Sequence, residues 1–510
     1  MRLALIANAL LALGGCSLVP TYERPAVPVA AAYPVPPVAA TGAAAGAAAA
    51  DLSWQQFVPD DTLRTLVQTA LDHNRDLRVA IANVEQARAQ FQIRRADQFP
   101  TVGVSASEAR SAPNPYAALG AGNVSSTYTV GLGVSAWELD FFGRVAALKD
   151  VALSSYLATA EARRAAQISL IASVLTTWLQ TQTDTELLAL AERTLASRQQ
   201  SLDLIRLRVD HGASSALDLK QAEGLVESTK AARAQQQRLR AQDLNLLTLL
   251  VGTTVPEALV PPLPQAPAAA PVPLLGQPAA AIAPVPDLPQ FAPVPVGAPS
   301  DLLLHRPDIR AAEEQLIGAN ANIGAARANF FPRITLTGNL GRVSSDLDGL
   351  VGSGGSKAWS FGPSVSLPVF DAGRNQANLE AAEASRTIAI AQYERAIQTA
   401  FREVADALAG RATLIDQLSA LRAQTAAAQD SLRLADLRYR NGIASYLDLL
   451  DAERSLFAVE QQLAQVQLAQ RANEVRLYKA LGGGWSAADE RAAASPERPP
   501  GHVRSSAEPA

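Results

Sequence analysis

TYTVGLGVSAWEL, residues 127–139, sets Tyr128, Val130, Leu132 and Val134 against Thr129, Gly131, Gly133 and Ser135. Side chains of a strand alternate between its two faces, so this stretch has one apolar face and one of small and polar groups. The same alternation runs through WSFGPSVSLPVF (359–370) and, more briefly, through TVGVSAS (101–107) and RITLTGNL (333–340). About ten such residues is the length of a strand that crosses a bilayer with one face in lipid and the other in water. Phe99, Trp137, Phe141, Phe142, Phe330, Phe331, Trp359 and Phe370 fall near the strand ends, where an interfacial belt of aromatics belongs. A half-buried soluble sheet would carry the same pattern. The connections 111–123 and 341–357 are rich in Gly, Ser, Pro and Asn and read as exposed loops. Two hairpins make four strands, and lipid does not tolerate open edges; the smallest outer-membrane barrels have about eight strands. If these strands span a membrane, other copies must complete the barrel, and three chains would supply twelve strands in a closed ring.

An internal repeat organises the rest. RDLRVAIANVEQARAQFQIRRADQFP (75–100) lies over RPDIRAAEEQLIGANANIGAARANFFP (306–332), and Pro100 meets Pro332. IRLRVDHGASSALDLKQAE (205–223) lies over ADLRYRNGIASYLDLLDAE (435–453), so that Gly212 meets Gly442 and Asp218 meets Asp448. The same offset aligns Gly143 with Gly373 and Gly252 with Gly482 without a gap. Each copy reads helix, strand, strand, very long helix, long helix. Arg144 to His211 contains no glycine or proline, and Arg374 to Asn441 only Gly410; each predicts a rod of about 100 Å. Leu188, Leu195, Leu202 and Val209, with Ile205 between, recur at heptad spacing, as do Leu449, Leu456, Leu463 and Leu477, with Gln470 breaking the row. An ordinary antiparallel coiled coil would show the same heptads. A helix over about 72–98 and another over 213–251 together approach the length of the long helix, which suits a wall of uniform height.

The boundaries follow: 1–15 a signal peptide, 16–60 an extended segment, 61–254 the first repeat, 255–299 a proline-rich linker, 300–484 the second repeat, and 485–510 a polar tail. Met1-Arg2 and LALIANALLAL give a positive start and an apolar run too short to span a bilayer as a helix. Leu13-Gly14-Gly15-Cys16 resembles the lipobox of bacterial lipoproteins, and Ser17 resembles the sorting residue of those sent to the outer membrane. Cys16, the only cysteine of the 510 residues, is then a lipid anchor. A net charge of −4 points to no nucleic-acid partner. No nucleophile–base set, phosphate loop or metal cluster is visible, and His73, His211, His305 and His502 are isolated, so no enzyme and no cofactor are expected.

CSLVPTYERP, AWELDFFGR, SSALDLKQAE, SDLLLHRPDIRAAEEQ, NIGAARANFFP, AQYERAIQTAFREVADALA, RYRNGIASYLDLLDAERSLF and LYKALGGGW carry a resemblance that covers Cys16 to Trp485. The chain resembles outer-membrane efflux proteins of the TolC superfamily, most closely the OprM-type lipoprotein channels of RND tripartite multidrug pumps. That resemblance implies an α+β homotrimer with a shared twelve-strand transmembrane barrel and a long periplasmic helical barrel. It also implies an equatorial belt built partly from 255–299 and the terminal segments. The implied partners are a periplasmic membrane-fusion adaptor, an inner-membrane RND pump and outer-membrane lipid. The role is a passive exit for small molecules such as drugs.

Gly212 and Gly442 mark the turns farthest from the strands, hence the periplasmic tips and the adaptor-docking surface. Leu447 and Asp451, four apart, share a helical face with Arg454 one turn on. If that face turns inward, three copies give an apolar constriction and an acidic ring, both known means of gating a pore. A solvated Asp–Arg pair, worth about 0.3–0.5 kcal/mol to the helix, explains the same residues. The resemblance implies the gate, because the family's gating Leu and Asp match Leu447 and Asp451. Asp448, Arg438 and Tyr439 flank this face and are expected to tie it to Asp218. Lys220 and Gln221 stand where the second copy has Leu450 and Asp451, so only the second tip is expected to bend inward. The alternatives are a duct for type I protein secretion or metal-ion efflux and, in a different class, a lipid-anchored periplasmic coiled-coil scaffold.

Overall fold

The computed structural model describes residues 17–34, 52–112, 124–263, 288–295, 302–352 and 354–485. The expected signal peptide, Cys16, most of the linker 255–299 and the tail beyond 485 lie outside the described residues. In chain order the elements are α1 (Trp54–Phe57), α2 (Asp61–His73), α3 (Arg75–Ala96), β1 (Val102–Ser111), β2 (Ser125–Leu139), α4 (Arg144–Asp210) and α5 (Ala216–Val251). There follow α6 (Leu302–His305), α7 (Pro307–Ala328), β3 (Arg333–Ser344), α8 (Leu347–Val351), β4 (Ser356–Ser366), α9 (Arg374–Arg440) and α10 (Tyr446–Ala480).

The repeat is explicit in these lengths. α4 and α9 have 67 residues each, about 100 Å of helix; α3 and α7 have 22 each; α5 and α10 have 36 and 35. The helix expected over 72–98 is split at Asn74, whose side chain accepts from the Leu77 N–H at 2.8 Å and donates to the Leu250 carbonyl at 2.8 Å. Asn74 therefore starts α3 and ties it to the end of α5.

The chain forms two compact units, each drawing on both repeats. One is built from Ile81–Ala162 and Asp308–Ala396 with the segment up to Pro28, the other from Val29–Ala80, Arg163–Pro307 and the chain from Ile397 on.

In the first unit a four-stranded antiparallel sheet runs in the order β1-β2-β3-β4. The row Val104, Leu132, Leu340, Trp359 crosses all four strands on one face, and Gly103, Gly133, Asn339, Ser360 crosses them on the other. All four apolar residues of the first row are more than half exposed in the single chain. Each edge strand, β1 and β4, has one partner among the described strands. Between Val134 and Trp137 the register of β2 shifts by a bulge in which Ala136 takes φ 49°. The extra residue puts Trp137 opposite Leu336, on the apolar face that simple alternation would deny it.

Strand ends differ from expectation. β1 and β3 run on to Ser111 and Ser344, and β4 stops at Ser366, two residues before Pro368, which has no N–H to offer a ladder. The loop expected over 341–357 contains α8, held by Arg342, whose guanidinium donates to the carbonyls of Leu350, Gly352 and Gly355 at 3.0–3.3 Å. The segment after position 16 is docked: Arg24 grips Glu313 through two bonds of 2.7 and 2.9 Å, Tyr22 adds a third, and Asn320 donates to the Pro20 carbonyl.

In the second unit Phe57 is stacked between Phe291 and Tyr478 at 4.9 and 4.0 Å. Tyr478 donates to the Leu52 carbonyl, and Trp178 of α4 to that of Leu259. α4 is buried almost all round from Thr183 to Ala191, where Leu187 and Leu190 pack with Phe457 and Ala464 of α10 and Arg240 of α5 donates to Thr185. Inside this region Asp184 faces Asp243 of α5, and each has a buried carboxyl oxygen without a hydrogen-bond donor. A proton shared by the two supplies one. Burial first, then the hydrogen bond and charge of Asp243, pushes the Asp184 carboxyl up to about 7. The fold thus holds this proton more tightly than the unfolded chain does, and stability falls as pH rises from the ordinary carboxylate range through about 7. Thermal midpoints of the purified protein are expected to be lower at pH 8 than at pH 5. Asp184→Asn, which supplies its own donor, should remove most of that difference, on the order of 2–4 kcal/mol per chain. A pH dependence unchanged in the variant would contradict the shared proton.

Candidate gate at the helix-hairpin turns

α4 turns into α5 at Gly212, and α9 into α10 at Gly442. Both glycines have φ 70°, and a Cβ on either would meet nothing within 4 Å. The backbone's left-handed conformation, not crowding, calls for glycine here. The same two bonds close each turn: Gly212 to Val209 and Ala213 to Arg208 at 2.9 and 2.7 Å, Gly442 to Tyr439 and Ile443 to Arg438 at 3.0 and 2.9 Å.

Past each turn a capping box opens the next helix. The Ser215 hydroxyl accepts from the Asp218 N–H at 3.1 Å and the Asp218 carboxylate accepts from the Ser215 N–H at 3.1 Å; Ser445 and Asp448 do the same at 3.3 and 3.0 Å. Burial pushes the Asp218 carboxyl up, but the bonds from Ser215 and Ser214 outweigh it and leave it below the usual range. The expected ties from Asp448, Arg438 and Tyr439 to Asp218 are not among the contacts of the single chain. Each carboxylate caps its own helix through Oδ2, and among the described residues Arg438 makes no side-chain hydrogen bond.

A different contact links the repeats. The Arg208 guanidinium of α4 lies 4.9 Å over the Tyr439 ring of α9, and Tyr439 meets Tyr446 of α10 at 5.6 Å. Beneath them Leu195, Leu202 and Ile205 pack with Ala222, Leu225 and Val226 and with Tyr446, Leu449 and Leu450. This is where the heptad rows of the two repeats meet.

Leu447, Asp451 and Arg454 share the exposed face of α10. Leu447 is about half exposed, and the Arg454 guanidinium is 3.7 Å from the Asp451 carboxylate. At the matching positions of α5 stand Leu217, Gln221 and Gly224, which carry no charge. Lys220, opposite in repeat position to the fully buried Leu450, points to solvent and pairs with Glu223 at 2.8 Å. A row of apolar side chain and carboxylate therefore exists on the second hairpin alone. His73 and His211 each bond a carbonyl one turn back in their own helix. Among the described residues no group of three His, Cys, Asp or Glu is placed to hold a metal.

The family model of outer membrane efflux proteins matches residues 66–253 and again 298–483. The probable efflux pump outer membrane protein TtgC of Pseudomonas putida is 46% identical over 475 residues, 93% of each chain. Outer membrane protein OprJ of Pseudomonas aeruginosa is 45% identical over 481 residues, 93% of this chain and 94% of the relative. Among solved structures, the open state of the MtrE outer membrane channel of Neisseria gonorrhoeae superposes with a TM-score of 0.77 at 39% identity, covering 92% of this chain and 98% of that one. An exposed apolar sheet face, paired helical rods and a match running through both repeats describe one kind of molecule: the chain belongs to the outer membrane efflux protein family, whose members are channels of the outer membrane and not enzymes.

Proposed function

We propose that three copies of this chain close into one barrel and one helical duct, gated at the Gly442 hairpin by Leu447 and Asp451. The observation that carries the reading is the sheet: four strands with an exposed apolar face and two single-partnered edges. Lipid leaves no such edge unpaired, and a ring of copies is the closed solution. Copies of Leu447 form the constriction and copies of Asp451 the acidic ring, with Arg454 balancing each carboxylate. The turns at Gly212 and Gly442 receive a periplasmic adaptor, which joins the duct to an inner-membrane pump of the RND class. Names such as efflux pump outer membrane protein and toluene efflux pump among the relatives support small apolar or amphiphilic molecules as cargo over a secreted protein or metal ions. Cys16, lipidated after removal of 1–15, anchors the start of the chain, and the docking of Tyr22 and Arg24 on Glu313 fits that role.

In planar bilayers the wild-type protein is expected to pass little current, and Leu447→Gly/Asp451→Ala much more. Each 1.4 kcal/mol of closed-state preference removed raises the open fraction about tenfold. Equal currents from both, with the protein folded and inserted, would contradict the gate. Tyr439→Leu, which removes the ring under Arg208, should raise the open fraction by a smaller factor. The exposed pairing of an arginine with an aromatic is worth about 0.5–1 kcal/mol.

A further inference from the structure

Between α4, α5 and the start of α10 lies a groove of about 550 Å³, the size of a small-molecule site. Arg198 lines it and is 95% removed from solvent, at 5% exposure. One of its N–H groups donates to the Thr229 hydroxyl, its face lies 5.2 Å from the Phe457 ring, and its Nε is buried without an acceptor. Among the described residues no carboxylate is within ion-pair distance of it. Glu453, the acid whose field it feels, is itself pushed toward the neutral form by burial, which Arg198 offsets only in part. A buried guanidinium with no carboxylate at ion-pair distance and an Nε without an acceptor is costly, and an anion in the groove would offset that cost.

The other lining residues say what kind. Arg454 brings a second guanidinium, held only by the 3.7 Å contact to Asp451, and the Gln221 amide makes no hydrogen bond among the described residues. Phe457 and Leu225 supply apolar wall. Gly224 sits in the third turn of α5, where glycine weakens a helix, yet a Cβ there would meet nothing within 4 Å. Its absence opens the groove rather than relieving a clash. The repeat provides an internal comparison: at the same offset Arg198 is replaced by Ala428 and Gly224 by Arg454. The fold shared by the two copies therefore does not require these residues.

We infer that the groove is an organic-anion site, taking a carboxylate or sulfonate between Arg198 and Arg454 and a flat apolar body against Phe457 and Leu225, over the bare backbone at Gly224. The inference concerns binding and does not need the gate to be where it is proposed.

Isothermal titration of the purified full-length protein in non-ionic detergent tests it, with 2-naphthoate as the probe and 2-naphthalenemethanol as its uncharged match. Saturable binding of the acid and none of the alcohol is expected, weakened roughly tenfold or more by Arg198→Gln. Gly224→Leu fills the groove without touching either guanidinium and should weaken binding as much, which keeps the test valid if Arg198→Gln fails to fold. No saturable binding to folded wild-type protein, or equal affinity in wild type and Gly224→Leu, would overturn the site. So would dissociation of the assembly in Arg198→Gln alone, which would assign Arg198 to a carboxylate of a neighbouring copy. Because the readout is heat and not current, a failed site and a failed gate give different results.

Discussion

An unpaired strand edge in hydrocarbon leaves a row of N–H and C=O groups with nothing to bond, at several kcal/mol for each group. That constraint governs this molecule. Its four strands set an apolar row on one face and glycine, serine and asparagine on the other, and the apolar row is uncovered in the single chain. A sheet so built cannot finish within one chain. The two edges, the repeat that generates them and the long helices entering and leaving each hairpin are parts of one solution, in which a duct assembles from identical staves.

Duplication makes that economical, and departures from it carry the function. Both hairpins use the same glycine, the same pair of closing bonds and the same serine–aspartate capping box. They differ in what the next helical turns present. The second repeat offers Leu447, Asp451 and Arg454, while the first offers Leu217, Gln221 and Gly224. The first repeat alone has Arg208 over a tyrosine of the second, and Arg198 buried with its Nε lacking an acceptor among the described residues. Symmetry builds the rods; asymmetry places charge where they meet.

Much of this was legible in the residues. Period-two alternation located all four strands, because a side chain's face follows directly from its parity, and the offset between copies located both turns, because only glycine satisfies φ 70° cheaply. The bulge at Ala136 was not legible, since one extra residue leaves composition unchanged while reversing the face of Trp137. The capping bonds of Asp218 and Asp448 went unread, although their spacing from Ser215 and Ser445 marks them. An aspartate three residues after a serine is a cap before it is anything else, and local bonds outcompete distant partners. Arg208 on Tyr439 and Asp184 against Asp243 lie far apart in sequence and carry no periodic signal, so only packing reveals them.

The central claim is that β1 of one copy pairs with β4 of another. Oxidative cross-linking in native membranes of cysteines placed on the polar face tests it directly, pairing Gly103→Cys or Ser105→Cys in β1 with Ser360→Cys or Ser364→Cys in β4. The account predicts that at least one combination, and neither single cysteine alone, yields covalent species up to three chains on a denaturing gel. Cross-linking confined to single chains would mean the sheet closes on itself, and would contradict the shared barrel.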